Sequence, residues 1–263
     1  AAERAPISLD AGRPNETAAS LEVLLATRAG APWIDTVLAV ARRAERRMGP
    51  GLAAEFLEPA RSDAWPARPR DRVLLAQVQL LLAAGDTAAA DETLAWLAEG
   101  STEGAVSARL ARARLHLAGA LEFAELVAIR RMLLPIGDDE AARALLLDIS
   151  ETELLALWGT EGDVPAWFAA GEVARDELHA PGLAGALFLT AAEAGFEGPW
   201  VAKSLLAASA VLGERELRER LRRRALRQQL DPYVDRLTPG YLASEDFVRR
   251  EAELAERVRT LRV

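Results

Sequence analysis

Apolar residues recur along this chain at spacings of three and four, the period that sets one face of an α-helix against a core. Residues 34–48 are typical: Ile34, Val37 and Ala41 fall on one side, and arginines gather near the end, where cations suit the helix dipole. Glycine and proline separate such segments, and no stretch shows the alternation of a half-buried strand. The pattern predicts about thirteen helices joined by short turns, and hence an all-α fold.

The same pattern divides the chain into three parts. A polar, proline-containing lead occupies 1–16, a body of helices occupies 17–230, and a linker with a last helix occupies 231–263. We predict that the last helix begins at a Ser244 cap and docks on another surface, because it has an apolar stripe. The stripe consists of Phe247, Leu254, Val258 and Leu261.

The segment that follows Gly137 is predicted to form two short helices. These cover residues 138–147 and 152–158, and the second is opened by Ser150 and Glu153 at the spacing of a capping box. In that motif the serine side chain and the glutamate side chain each accept a hydrogen bond from a backbone amide. We therefore expect a break in the helix before Thr152.

A weak repeat with a period of 34 residues is the most informative motif. The segment Leu-Leu-Ala-Ala-Gly-Asp at 81–86 is echoed by Leu-His-Leu-Ala-Gly-Ala at 115–120, and each copy consists of a helix, a turn at glycine and a second helix. The two units cover about 70–99 and 104–134. Their apolar or small positions are Leu74, Leu81, Ala90 and Leu94 in the first unit, and Ala108, Leu115, Ala124 and Ala128 in the second.

This period and these positions resemble the tetratricopeptide repeat. The resemblance implies an α-solenoid of antiparallel helical hairpins, irregular toward the C terminus, in which small residues such as Ala90 and Ala124 let two helices cross closely. It also implies a concave groove, lined by the first helix of each repeat, that binds a protein partner. The groove candidates in this register are Arg72, Gln79, Arg109, Arg112 and His116; Trp65, between two prolines, is a further candidate contact.

Composition narrows the classes of function. Lys203 is the only lysine among the 32 basic residues, and a genome rich in G and C explains this arginine bias more simply than anion recognition does. A net charge of −8 disfavours a protein whose main task is to coat nucleic acid. The absence of cysteine excludes disulfides and thiolate sites, and no apolar run approaches the ~18 residues that a membrane span needs.

Motifs for catalysis or cofactor binding are missing from the sequence. The two histidines, His116 and His179, do not lie in an HExxH arrangement, and neither a phosphate-binding glycine loop nor a GxSxG elbow is present. We therefore predict no catalytic, cofactor-binding or metal-binding residues, and no cofactor. A metal site built only from carboxylates is the alternative left open.

Two charged segments have two interpretations each. The segment from Asp138 to Asp163 contains eight acidic residues and one basic residue, Arg143. The segment from Glu214 to Arg227 contains seven arginines and three glutamates. They are either solvated helix surfaces, the simpler interpretation, or faces for a basic partner and for an anionic surface respectively.

The sequence thus predicts a noncatalytic scaffold, or a structural subunit of a larger complex, that binds a protein partner through a concave helical face. The alternatives are a helical enzyme or small-ligand binder with a pocket between helices, and an adaptor that uses its arginine helix on anionic surfaces. The lead that begins Ala1-Ala2-Glu3 favours an exported protein after signal cleavage, with a cytoplasmic protein as the alternative.

Overall fold

The computed structural model describes residues 3–25, 33–61, 66–195 and 200–227. These residues contain no β-strand, and short 3-10 turns lie at Glu58–Arg61 and Leu134–Ile136. The α-helices within them are α1 (Arg4–Asp10), α2 (Pro14–Leu25), α3 (Ile34–Met48), α4 (Pro50–Glu55), α5 (Ala67–Ala83), α6 (Thr87–Ala98), α7 (Glu103–Gly119), α8 (Phe123–Leu133), α9 (Glu140–Thr160), α10 (Val164–Asp176), α11 (Pro181–Ala194), α12 (Trp200–Val211) and α13 (Arg215–Arg227). The predicted all-α fold is confirmed for the described residues.

The chain forms two compact units, Ala1–Leu115 and His116–Val263, and α7 runs through the boundary. In the first unit α1 packs on α2, α3 on α4, α4 on α5 and α5 on α6, with further contacts between α3 and α5. One hydrophobic cluster fills this unit, and its largest fully buried side chains are Leu9, Leu21, Leu25, Leu57, Leu74 and Leu94.

Helices of the second unit pack mainly on their neighbours in the chain. The contacts run from α8 to α9 and onward, pair by pair, to α13. Glycines allow close approach at three successive crossings, because a Cβ atom at each would lie 2.5 or 2.6 Å from a large side chain. The three pairs are Gly159 with Trp167, Gly171 with Phe188, and Gly185 with Leu212.

The first 34-residue unit folds as its pattern predicts. Gly85 makes the turn with φ of 80°, a left-handed conformation that favours glycine, and the Asp86 side chain caps α6 by accepting a hydrogen bond from the Ala89 amide at 3.0 Å. Ala90 and Leu94 are fully buried, as expected for positions that face the preceding helix.

In the second 34-residue repeat, residues 104–134, the packing expected for α8 is wrong. Ala124 and Ala128 are exposed, whereas Leu126, Ile129 and Leu133 are buried. The physical reason is area: burying leucine and isoleucine removes more apolar surface from water than burying alanine does. Helix α8 therefore turns the opposite face to the core from the one that the repeat register predicts.

The predicted break near Ser150 is also wrong, because α9 is one continuous helix. Ser150 is exposed in mid-helix and donates a hydrogen bond to the Leu146 carbonyl at 2.8 Å, and Thr152 donates to the Asp148 carbonyl at 2.8 Å. These bonds to the preceding turn are compatible with a helix interior. The segment also contains neither proline nor an early glycine that would end the helix.

The N-terminal segment predicted as a polar lead contains the short helix α1, in which Ala5 and Leu9 are buried. Thr17 lies inside α2, and its hydroxyl is 2.9 Å from that of Ser8. The C-terminal linker and docking helix, predicted over 231–263, lie outside the described residues.

Candidate partner-binding surfaces

Two of the predicted groove residues lie on the exposed side of α5. Arg72 and Gln79 are seven residues apart, which places them about two turns apart along one face. Arg72 donates a hydrogen bond to the Asp35 carboxylate of α3 at 3.0 Å, and the two side chains are 62% and 88% exposed. An ion pair this open to water holds its arginine weakly, so Arg72 can reach a partner.

Gln79 lines a cleft between α3 and α5, which we call the α3–α5 cleft. Its volume is about 220 Å³, below the range of roughly 300–1,000 Å³ typical of small-molecule pockets. The cleft therefore suits a single side chain of a partner better than a free ligand. Its lining residues are Leu38, Ala41, Arg42, Glu45, Ala76, Gln79 and Leu80.

The arginines of α3 divide into two pairs with different roles. Arg43 and Arg47 are ion-paired with Asp10 at 2.6 and 3.5 Å, and Arg47 also donates to the Leu9 carbonyl, so this pair holds α1 in place. Arg42 and Arg46 are exposed, and no ion pair is recorded for either among the described residues. The cleft thus has a mixed lining, in which apolar side chains lie beside Arg42, Glu45 and Gln79, and the positive charge of Arg42 is available to a partner.

Arg112 is committed to an internal contact. Its guanidinium donates two hydrogen bonds to the Asp91 carboxylate of α6, at 2.7 and 3.2 Å, and both side chains are about 70% buried. Arg109 is half-buried on the same helix. Bidentate pairs of this kind are strong and geometrically fixed. Arg112 therefore holds α7 to α6 within the first unit, a role that the sequence pattern did not indicate.

His116 belongs to the second unit and lies near the start of α8. The Glu125 carboxylate there accepts hydrogen bonds from the Leu121 and Glu122 amides at 2.6 and 2.9 Å. These bonds lower the pKa of Glu125 below its ordinary value, and the charge of His116 adds a smaller lowering. Trp65, the remaining sequence candidate, lies outside the described residues.

A larger cavity lies between α1 and α2, with a volume of about 560 Å³. Its polar lining includes Arg4, Arg13 and Glu16, but Arg13 and Glu16 are already ion-paired at 3.3 Å. The Ser8 hydroxyl at its edge is bonded to the Arg4 carbonyl at 2.9 Å. This cavity is the place where the small-ligand alternative is best examined.

The second unit contains a buried aromatic cluster around the single lysine. The Lys203 Nζ lies 4.2 Å from the ring centre of Phe168 and 4.8 Å from that of Trp200, and Phe168 also packs on Phe188 at 5.0 Å. Aromatic faces attract a cation in this geometry. The cluster therefore ties α10, α11 and α12 together.

An apolar surface on α8 and α9 was not identified from the sequence. Val127, Leu134, Leu147 and Leu157 are between 45% and 60% exposed. The signal that could have revealed it is that α8 is apolar on both of its sides, whereas a solvent-facing helix normally has one polar side.

Comparison of the chain with protein-family models, with curated proteins and with solved structures found no match. Of the helices that the structure describes, none combines the length and the apolar character that crossing a membrane requires. Within the same part of the chain, no three histidine, aspartate or glutamate side chains converge so that they could hold a metal ion.

Proposed function

We propose that this protein is a noncatalytic helical scaffold, related in architecture to tetratricopeptide-repeat proteins, that binds a protein partner through the exposed face of α3 and α5. The observation that supports it best is the α3–α5 cleft, in which the groove candidate Gln79 lies beside apolar side chains and the exposed Arg42.

The packing order supports the repeat architecture within each unit. In repeat proteins each element contacts mainly its neighbours in sequence. Helices α9 to α13 follow that order, and α5 and α6 form a hairpin with the buried positions of the repeat. The exposed α8 positions depart from it, so the proposed array is irregular.

The chemistry of the cleft indicates what the partner presents. An apolar side chain would fill the space between Leu38 and Ala76, and a carboxylate beside it would pair with Arg42. Apolar anchors supply most of the affinity at such sites, while exposed charges supply orientation and association rate. The proposed partner segment is therefore an acidic peptide or helix with an apolar anchor.

The test is capture of the partner from an extract of the native organism with four variants of the full chain. Arg42→Glu and Ala76→Trp alter the cleft, and Arg114→Glu and Ala88→Trp make the same changes at exposed positions on other helices. We expect a partner to be retained by the wild type and by the second pair of variants, and lost by the first pair. Circular dichroism checks that each variant is folded; Arg42 is exposed, so its replacement leaves the core intact.

A partner retained by Arg42→Glu and Ala76→Trp alike would contradict binding in the cleft. Recovery of no protein partner by the wild-type chain would contradict the scaffold proposal itself.

A second candidate function, binding of a polyanion, is favoured by α13. Leu221 and Ala225 are buried, which uses the apolar side of the helix within the unit. Its exposed arginines without an ion pair among the described residues are Arg215, Arg220, Arg222 and Arg224. Binding of heparin that weakens steeply with salt and is lost in Arg220→Glu would favour this function, because it would rest on charge alone.

A further inference from the structure

Apart from Leu121, which precedes α8, the large apolar side chains that are exposed among the described residues of the second unit lie on α8, on α9 and on the turn between them. We define the α8–α9 apolar surface by Val127, Leu134, Leu147 and Leu157, which are 45%, 60%, 45% and 54% exposed. Ala124 and Ala128 of α8 and Ala144 of α9 are exposed beside them. Concentrations of exposed apolar side chains of this kind mark interaction sites in soluble proteins.

These side chains form one surface because Arg130 joins the two helices in their midst. The Arg130 guanidinium donates hydrogen bonds to the Ser150 hydroxyl at 3.2 Å and to the Glu153 carboxylate. Residues three and four apart are surface neighbours on a helix. Val127 on α8 and Leu134 at the start of the following 3-10 turn therefore flank Arg130, and Leu147 and Leu157 flank Ser150 and Glu153 on α9.

Helix α8 is apolar on opposite sides. Leu126, Ile129 and Leu133 form its buried side. Its exposed residues are Ala124, Glu125, Val127, Ala128 and Arg131, and the exposed Leu134 follows directly after the helix. A solvent-facing side of a helix is normally polar, so the apolar side chains exposed there indicate a docking site.

We propose that the α8–α9 apolar surface is the docking site for the C-terminal segment of this same chain, residues 244–262. These residues lie outside the described structure, and the argument uses only their sequence. Their predicted apolar stripe needs a surface to cover it, and the length of the stripe matches the length of the apolar surface on α9. Phe247 and Val258 are eleven residues apart, close to the ten that separate Leu147 from Leu157.

The segment is long enough to reach this surface. Helix α13 ends at Arg227, and residues 228–243 connect it to Ser244. When extended, this connection spans up to roughly 55 Å. A compact unit of this size has a radius of gyration of about 15 Å, so the connection can reach any point on the second unit.

Charge sets the direction in which the segment lies. Helices α8 and α9 are joined by a short turn, so the start of α8 and the end of α9 lie at the same end of the hairpin. That end exposes Glu122, Glu125 and Glu161, whereas the exposed Asp138 and Glu140 at the turn end are accompanied by the exposed Arg131 and Arg143. The segment finishes with Arg257, Arg259 and Arg262. We therefore place its C-terminal end against the acidic end of the hairpin, so that it runs parallel to α9.

Because the chain has no cysteine, this arrangement can be tested by disulfide trapping in the full-length protein. Parallel docking brings Val258 near Leu157 and Phe247 near Leu147. The variant Leu157→Cys/Val258→Cys should form an intrachain disulfide under mild oxidation. The matched control Leu157→Cys/Phe247→Cys, which tests the reversed direction, should form it at least tenfold more slowly.

Each other outcome overturns the proposal in an identifiable way. Equal rates for the two variants would show a segment that does not dock in a fixed position. A disulfide between chains, seen as a dimer on a non-reducing gel, would show that a second copy covers the surface. Faster closure of the control variant would show docking in the opposite direction.

Amide hydrogen exchange of the full chain gives a second readout that does not depend on cysteine chemistry. Docking predicts that Leu254→Glu raises exchange in α8 at least tenfold and that Leu147→Glu raises exchange in residues 244–262 by a similar factor. Leu147 is nearly half exposed, so its replacement leaves the unit folded. Unchanged exchange in both regions would overturn the proposal.

Discussion

Arg112 of α7 and Asp91 of α6 form a bidentate ion pair, with N–O distances of 2.7 and 3.2 Å. Because the pair is mostly buried and holds two helices of the first unit together, we expect Asp91→Ala to lower the free energy of unfolding by about 1–2 kcal/mol. Urea denaturation measures this change. Arg109→Ala is the matched control on α7, and it should change the free energy by less than about 0.5 kcal/mol.

If Asp91→Ala and Arg109→Ala were equally mild, the Arg112 pair would contribute nothing measurable to stability. Arg112 would then again be available as a groove residue.

Gly171 of α10 is expected to be irreplaceable even by alanine. A Cβ atom there would lie 2.6 Å from the Phe188 ring, which is fully buried and packs against Phe168 with 5.0 Å between the ring centres. Helix propensity alone favours alanine by about 1 kcal/mol, but overpacking costs typically 1–3 kcal/mol or more. Gly171→Ala should therefore lower the thermal unfolding midpoint.

Gly119→Ala is the control for this substitution. Gly119 is the last residue of α7, and no atom lies within 4 Å of its Cβ position. We expect the thermal unfolding midpoint of Gly119→Ala to be unchanged or slightly higher than that of the wild type. A fall in the midpoint as large as that of Gly171→Ala would contradict the steric explanation.

Because α9 is a single helix, replacing its N-cap Asp139 should destabilise the protein more than replacing Ser150, which would be the N-cap only if the segment formed two helices. Asp139 is the N-cap in the structure and accepts hydrogen bonds from the Ala141 and Ala142 amides at 3.0 Å. Asp139→Ala should lower the free energy of unfolding by about 1 kcal/mol. Ser150→Ala should change it by less than about 0.5 kcal/mol, since an exposed mid-helix serine caps nothing. The reverse order in urea denaturation would indicate two helices.

The stability of the start of α8 depends on pH through the ionisation of Glu125. Hydrogen bonds from the Leu121 and Glu122 amides hold its pKa below the ordinary value of 4.5. The stability that this cap contributes is therefore fully present above pH 4.5 and is lost as the pH falls through the lower folded-state pKa. An NMR titration should show the Glu125 carboxylate and both amides sharing one midpoint below 4.5. A midpoint at or above 4.5, or an unchanged amide titration in Glu125→Gln, would argue against it.

Sequence reasoning succeeded where one local signal had a single interpretation. The turn at Gly85 and Asp86 was predictable because glycine favours positive φ and aspartate favours an N-cap. It failed at Ser150, where the capping-box spacing is equally compatible with a helix interior. The candidate site shows the same limit. A helical register predicts the face on which a residue lies but not the residue it contacts, so the sequence could not distinguish the exposed Arg72 and Gln79 from Arg112, which is paired with Asp91.

The sequence by itself determined that this protein is all-α over its described residues, and where turns such as the one at Gly85 and Asp86 separate its helices. Those properties follow from interactions within a few residues: helical periodicity, caps, glycine and proline. Only the tertiary structure decided that α8 buries Leu126, Ile129 and Leu133 while it exposes Ala124 and Ala128. Both sides of that helix are apolar, so periodicity cannot choose between them, and the choice falls to the area that each side buries against the rest of the unit.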